Sequence, residues 1–331
     1  MSQAKAKPLN PALGESTGDG GVSKMGGRGK GIAALLLVQL FFGLFPYFIH
    51  LTVGDGVGGK EGYIGFPPRA VAGWRIVFAA LVLGVLAWRK HGRGIIPPRA
   101  EVPRLVACAL LGVVLNMSLA IEGAARISVV SAGLLFTLIP VFTYGTALAL
   151  RVERFSHLRS LGIALSLSGA ITLILGSNGN SGELGFGGSE LFGALLIVVN
   201  CVGYAIYLVI ARPLLARTDA TLFLARVFGI SLVFAPPLLW STDAVPAGLG
   251  VPALWGMAYI LVFPTLLAYL LNAFALARVS SSTTAAFIYL QPLIGGAAGI
   301  FARGEEVGGV AWLAALLLFL GLGLVLKKRP G

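Results

Sequence analysis

Ten stretches of about 20 residues without a central charge run through this 331-residue chain, and nothing constrains its fold more. A bilayer core is roughly 30 Å thick and a helix rises about 1.5 Å per residue, so each stretch is long enough to span one. In hydrocarbon every backbone polar group must be bonded internally, which leaves helices for segments this long. The expected fold class is therefore an all-α membrane protein. Its spans are placed at 31–52, 69–88, 103–122, 127–150, 158–176, 190–210, 220–241, 251–274, 280–301 and 308–326. The connections are short, so no soluble domain interrupts the bundle. Residues 1–30 carry Gly, Ser and Lys without apolar periodicity and read as a disordered cytoplasmic tail. No cleavage site of signal-peptide type follows the first apolar run.

The formal net charge of +12 could suggest a nucleic-acid partner. The Lys and Arg, however, cluster between apolar stretches, a pattern that orients membrane helices. One side of the ten-span scheme holds 19 of them and the other 4, with Arg75 and Arg226 inside spans completing the 25. Both termini are thus expected in the cytoplasm, in a multi-pass protein of the cell inner (plasma) membrane. Nucleic acid is not an expected partner; the lipid bilayer is. Cys108 and Cys201 lie deep in apolar segments and read as packing residues.

An ungapped shift of 152 residues lays Ala125-Arg126 on Ala277-Arg278, Ser128 on Ser280, Pro140 on Pro292, Arg151 on Arg303, Glu153 on Glu305 and Gly169 on Gly321. Five spans separate the copies, and five is odd, so the copies are inverted. The expected organisation is a five-helix repeat over 31–176 followed by an inverted five-helix repeat over 190–326. Such duplication is associated with alternating access, because the copies can exchange conformations.

The residues that carry the repeat also carry a family resemblance. TLIPVFTYGTALALRVERFSHLRSLGIALSLSGAITLIL (137–175) and YLQPLIGGAAGIFARGEEVGGVAWLAALLLFLGLGLVL (289–326) each place a proline in the middle of a fourth helix, a Glu at the next turn and a helix of small residues after it. With VVNCVGYAIYLVIARPLLAR (198–217), they make the chain resemble the EamA-like ten-helix branch of the drug/metabolite transporter superfamily. Phe42-Gly43 departs from the family's usual Trp-Gly pair, Ala314 stands opposite Gly162, and the first outer loop, 53–68, is longer than usual. The resemblance implies transport, with export as its direction.

Pro140 and Pro292 mark where chemistry is expected. Each lacks an N–H and displaces the carbonyl four residues earlier, at Phe136 and Ile288, and such carbonyls face protein or a cavity. The alternative is a kink that only shapes the bundle. Polar residues fall on helical stripes, and the expected substrate-binding set is Gln39, Tyr47, Asn116, Thr137, Pro140, Tyr144, Asn200, Tyr204, Tyr269, Asn272, Tyr289 and Pro292. Interhelical hydrogen bonding is the competing role for each. His50 reads as interfacial, and Glu153 and Glu305 as helix-dipole caps or gate contacts with an arginine. Arg75 and Arg226, taken as equivalent positions of the two copies, are either snorkelling or structural cations, or receptors for a substrate carboxylate.

No Asp or Glu occupies the middle of a span, which argues against a cationic substrate and a carboxylate proton relay. No catalytic residue, metal site or cofactor is expected: paired Asp, a Ser/His pair and a His cluster are all missing from the spans, so an enzyme is disfavoured. Tyrosines and amides without a buried acid suit a small neutral or zwitterionic organic metabolite, such as an amino acid or a related compound. A multidrug-type exporter or channel-like facilitator with the same helices is the alternative. The chain is expected as a monomer or weak homodimer.

Overall fold

The computed structural model describes residues 20–54, 62–151, 155–176, 188–240, 243–276, 287–288 and 290–326. Of the expected tail, residues 1–19 lie outside the described residues, and a helix is already running at Gly20. Among the described residues, seven helices are long and apolar enough to cross a membrane. They are α1 (Gly29–Val53), α2 (Pro68–Ile95), α3 (Arg99–Ala124), α4 (Val129–Ala149), α6 (Gly188–Leu215), α7 (Ala220–Trp240) and α8 (Val251–Ala275). Three more apolar helices complete the described bundle: α5 (His157–Gly176), α9 (Leu290–Arg303) and α10 (Gly309–Leu326). Apart from isolated bridges at Gly54, Ile64 and Leu249, the described residues form no β structure.

Helix starts follow local chemistry. Pro68, Val102-Pro103 and Val251-Pro252 supply prolines in first turns, where a missing N–H costs nothing. Ser128 caps α4 by accepting from the Ser131 N–H at 3.1 Å. Asp219 caps α7, accepting from the Thr221 and Leu222 N–H groups at 3.1 and 3.3 Å and from Lys90 Nζ at 2.8 Å. Burial opposes ionisation of this carboxyl, but Lys90, the Leu222 N–H and His91 outweigh it and hold the group below its ordinary carboxylate value. A depressed folded value means the contribution is complete above the ordinary carboxylate range and is lost as pH falls through the depressed one. Asp219→Asn should accordingly flatten the acid limb of a thermal-stability profile while costing less than about 1 kcal/mol at neutral pH, since the pair is exposed. An unchanged acid limb would remove the linkage.

Packing repeats along the chain. The tightest helix pair is α5 against α10, where small residues bring the backbones together. A Cβ on Gly169 would stand 2.8 Å from Leu318 N and 2.9 Å from Ala314 O. One on Gly321 would overlap Gly162 O and the Ser166 backbone. Under the 152-residue shift Gly169 becomes Gly321, Ala314 becomes Gly162 and Leu318 becomes Ser166. These contacts are therefore reciprocal, as they must be where a two-fold relation passes between two helices.

Candidate functional site

Helices α3 and α8 each contain a widened, π-helical segment, Leu110–Val114 and Leu261–Leu267, and the 152-residue shift lays Gly112 on Pro264. In α8 the ring of Pro264 displaces the carbonyl of Ile260, four residues earlier. Thr265 Oγ1 donates to that carbonyl at 2.6 Å, and Arg75 Nε donates to Thr265 Oγ1, also at 2.6 Å. In α3 the missing side chain at Gly112 admits the ring of Tyr207 against the backbone. The Tyr269 hydroxyl, donating to Gly112 O at 3.1 Å, lies 3.3 Å from Asn116 Oδ1. Wide turns of this kind concentrate at functional positions in helices.

Asn116 and Tyr269, just beyond these segments, border a cavity of about 430 Å³. Gln39, Phe42 and Phe45 of α1, Arg75 of α2, Asn116 and Ala120 of α3, and Phe136, Ile139, Thr143 and Ala147 of α4 line one part of it. Asn200, Tyr204 and Arg212 of α6, Tyr269 and Asn272 of α8, and Ile288 and Gln291 line the rest. Both halves of the chain contribute. Its polar groups are partly engaged with one another: Asn200 Nδ2 donates to Asn116 O at 2.8 Å, and Gln291 Nε2 donates to Gln39 Oε1 at 2.7 Å.

The cavity is open at one end. Arg212, Pro213 and Ala216, exposed residues beside the connection between α6 and α7, line its mouth, whereas Phe45, Arg75 and Phe136 at its depth are buried. Around the 125–128 connection the opposite end is fastened. Glu305 accepts from the Val129 N–H at 2.8 Å and the Val130 N–H at 3.1 Å, so it holds the start of α4 from the loop before α10. His50 Nε2 lies 3.0 Å from Ile127 O. Dipole-complementing and arginine contacts are both expected of Glu305 from the sequence; the helix it caps is α4 of the other half, and Arg303 Nε lies 3.8 Å away. Glu153 lies outside the described residues.

Six of the twelve sequence-selected residues line the cavity: Gln39, Asn116, Asn200, Tyr204, Tyr269 and Asn272. Thr137, Pro140 and Tyr144 are buried on another face of α4. Helix α4 breaks at Thr137, whose hydroxyl donates to Leu134 O at 2.6 Å, and Tyr144 lies under the Arg159 guanidinium at 5.1 Å. Pro292 is buried at the crossing of α4 and α9, where a Cβ on Gly133 would stand 3.4 Å from its Cα. Tyr47 is half-buried, edge-on to Phe48 at 5.2 Å. Tyr289 lies outside the described residues. Gln291 escaped selection although it adjoins the matched Pro292 and is a lone amide in an apolar helix.

The two membrane arginines differ more than their spacing suggests. The 152-residue shift pairs Arg226 with Trp74, and both donate to the loop opposite: Trp74 Nε1 to Ala244 O at 2.9 Å, Arg226 to Gly94 O at 2.8 Å and Ile95 O at 3.1 Å. Arg226 also stands 3.3 Å from Glu101. Arg75 falls instead on Val227, a buried apolar residue.

The family model of the EamA-like transporter family matches residues 29–175 and matches again over 191–327. This chain belongs to that family. Among its relatives is an "Uncharacterized transporter" of Archaeoglobus fulgidus, 26% identical over 78% of this chain and 90% of the relative. Another is a protein of Streptantibioticus cattleyicolor named "Probable terminal-alkyne amino-acid exporter", 24% identical over 81% of this chain and 88% of that one. A solved crystal structure superposes with a TM-score of 0.60 over 91% of this chain and 96% of the other at 18% identity, which shows a shared fold. The double match of the EamA-like model coincides with the two halves that meet at the cavity. As an EamA-like protein the chain is a multi-pass membrane transporter.

Proposed function

We propose that this transporter moves a small amphipathic metabolite, an amino acid or a related compound, out of the cell by alternating access between two inverted five-helix repeats, with ten spans and both termini cytoplasmic. The observation that carries the reading is the one-sided cavity: it lies between the repeats, opens beside the α6–α7 connection and is fastened at the 125–128 end. With the positive-inside orientation, that is a state open to the cytoplasm. Exchange of conformations between the repeats would open the opposite end. The lining supplies amides and tyrosine hydroxyls for polar groups and the Phe42, Phe45, Phe136 and Ile139 side chains for an apolar one. The Streptantibioticus relative's name supports the same substrate class.

Uptake and counterflow in proteoliposomes, against amino acids, their derivatives, sugars and cationic drugs, test the proposal. Saturable exchange of an amino-acid-like solute, with trans-stimulation, is expected. Unsaturable flux without trans-stimulation would make the protein a channel-like facilitator, and exchange of phosphorylated sugars alone would overturn the substrate class.

A further inference from the structure

We propose that Arg75 seats the substrate and that the substrates of this transporter are small organic carboxylates. The inference rests on the transport reading and adds the charged group that its substrates share.

Arg75 is 2% exposed, and it is the only charged side chain among the described buried residues. A guanidinium stays protonated in proteins, and an isolated charge inside a membrane bundle is costly unless something pairs with it. Arg126, Arg226 and Arg303 each have a glutamate at 2.6, 3.3 and 3.8 Å. No carboxylate stands in reach of Arg75 among the described residues. Its Nε is held by Thr265, and the Phe45 ring covers it at 4.9 Å.

That leaves the two terminal Nη groups. Among the described residues the one fully buried side-chain N or O atom without a partner is Ser118 Oγ, so neither Nη is sealed inside the protein. Each thus borders space that a solvent-sized group can enter, and the cavity is the space that Arg75 lines. This edge of the guanidinium is the one that takes a carboxylate through two parallel hydrogen bonds.

The scaffold does not need a cation here. In the other half Val227 occupies the corresponding place, and the loop contact that Arg226 makes is made in the first half by Trp74. Arg75 is thus a charge added to one side of a duplicated framework. The remaining lining reinforces its sign: among the described residues it contains no Asp or Glu, and its other ionised group is Arg212 at the mouth. A cavity with that balance attracts anions toward its floor. One guanidinium at the floor matches one carboxylate, whereas an amine would meet a cation with no acid to offset it.

Two readouts test this: ligand-induced thermal stabilisation of the purified protein, and counterflow in proteoliposomes. Matched probes differ only in the charged group: 3-phenylpropanoate against 3-phenylpropanamide and 2-phenylethylamine, and phenylalanine against its amide. The carboxylate of each set is expected to act at least tenfold better than the amide. Arg75→Gln should reduce that preference below twofold with the amide unaffected, and Arg75→Lys, the variant to use should the glutamine form fail to fold, should weaken it by severalfold. Equal handling of acid and amide by the native protein, or a full preference surviving in either variant, would overturn the proposal. Exchange of amides and amines alone would keep the transport reading and sink the carboxylate. Arg75-dependent stabilisation by acids without any counterflow would do the reverse.

Discussion

Glu305→Gln is expected to release the 125–128 end of the bundle and to change which side of the membrane the cavity faces. Both oxygens of Glu305 accept from backbone N–H groups at the start of α4, donors that no helix satisfies internally. A hydrogen bond to a charged group contributes about 1.5–3 kcal/mol, and the carboxylate also complements the helix dipole. Gln keeps the shape but offers one oxygen and turns an NH₂ toward the second N–H. A loss of about 3 kcal/mol would shift the ratio of the two conformations by roughly a hundredfold. The measurement is labelling of Ala120→Cys, at the depth of the cavity, with an impermeant thiol reagent applied from the 125–128 side. Both native thiols are buried and leave a low background. Labelling should be slow with Glu305 present and fast in Glu305→Gln. Equal rates would mean that the clasp does not govern access.

Gly321→Leu should abolish accumulation of folded protein. The Cβ alone would overlap Gly162 O and the backbone of Ser166, and main chain in a packed helix pair has nowhere to retreat. Overpacking costs typically about 1–3 kcal/mol, and obstruction by backbone puts this site at or above the upper end. A Cβ on Gly323, two residues on, would meet nothing within 4 Å, so Gly323→Leu is the control and should leave stability within about 0.5 kcal/mol. Gly169→Leu should match Gly321→Leu, because its contacts are the same ones seen from the other half. Size-exclusion yield and melting temperature of the detergent-solubilised variants decide it; a well-folded Gly321→Leu protein would contradict the reciprocal packing of α5 and α10.

The legible part of this molecule is the part written in composition along the chain. Among the described residues, seven of the expected spans correspond to helices long and apolar enough to cross, and the family model matches the chain twice. Pro140 and Pro292 are buried outside the cavity lining, whereas Gln39, Asn116, Asn200, Tyr204, Tyr269 and Asn272 line it. On α4 the selected residues lie off that lining. Thr137, Pro140 and Tyr144 share one face by spacing, but Phe136, Ile139, Thr143 and Ala147 share another by the same spacing, and the second lines the cavity. Periodicity identifies a face without saying what that face meets.

By itself, the sequence determined that the chain must enter a membrane as apolar helices and that its two halves are related. Those properties follow from hydropathy and covalent order, which need no neighbour. Tertiary structure alone decided the azimuth of each helix and the partner of each polar group. Two faces of α4 carry the same spacing and differ only in what packs against them, so a regular 3.6-residue count does not by itself give the facing direction. Arg75 shows the consequence: two arginines at nearly the same place in two copies differ by one residue of register. One is tied to a loop and a glutamate, and the other bonds Thr265 and lines the cavity, because pairing depends on what packs opposite and not on what is adjacent in the chain.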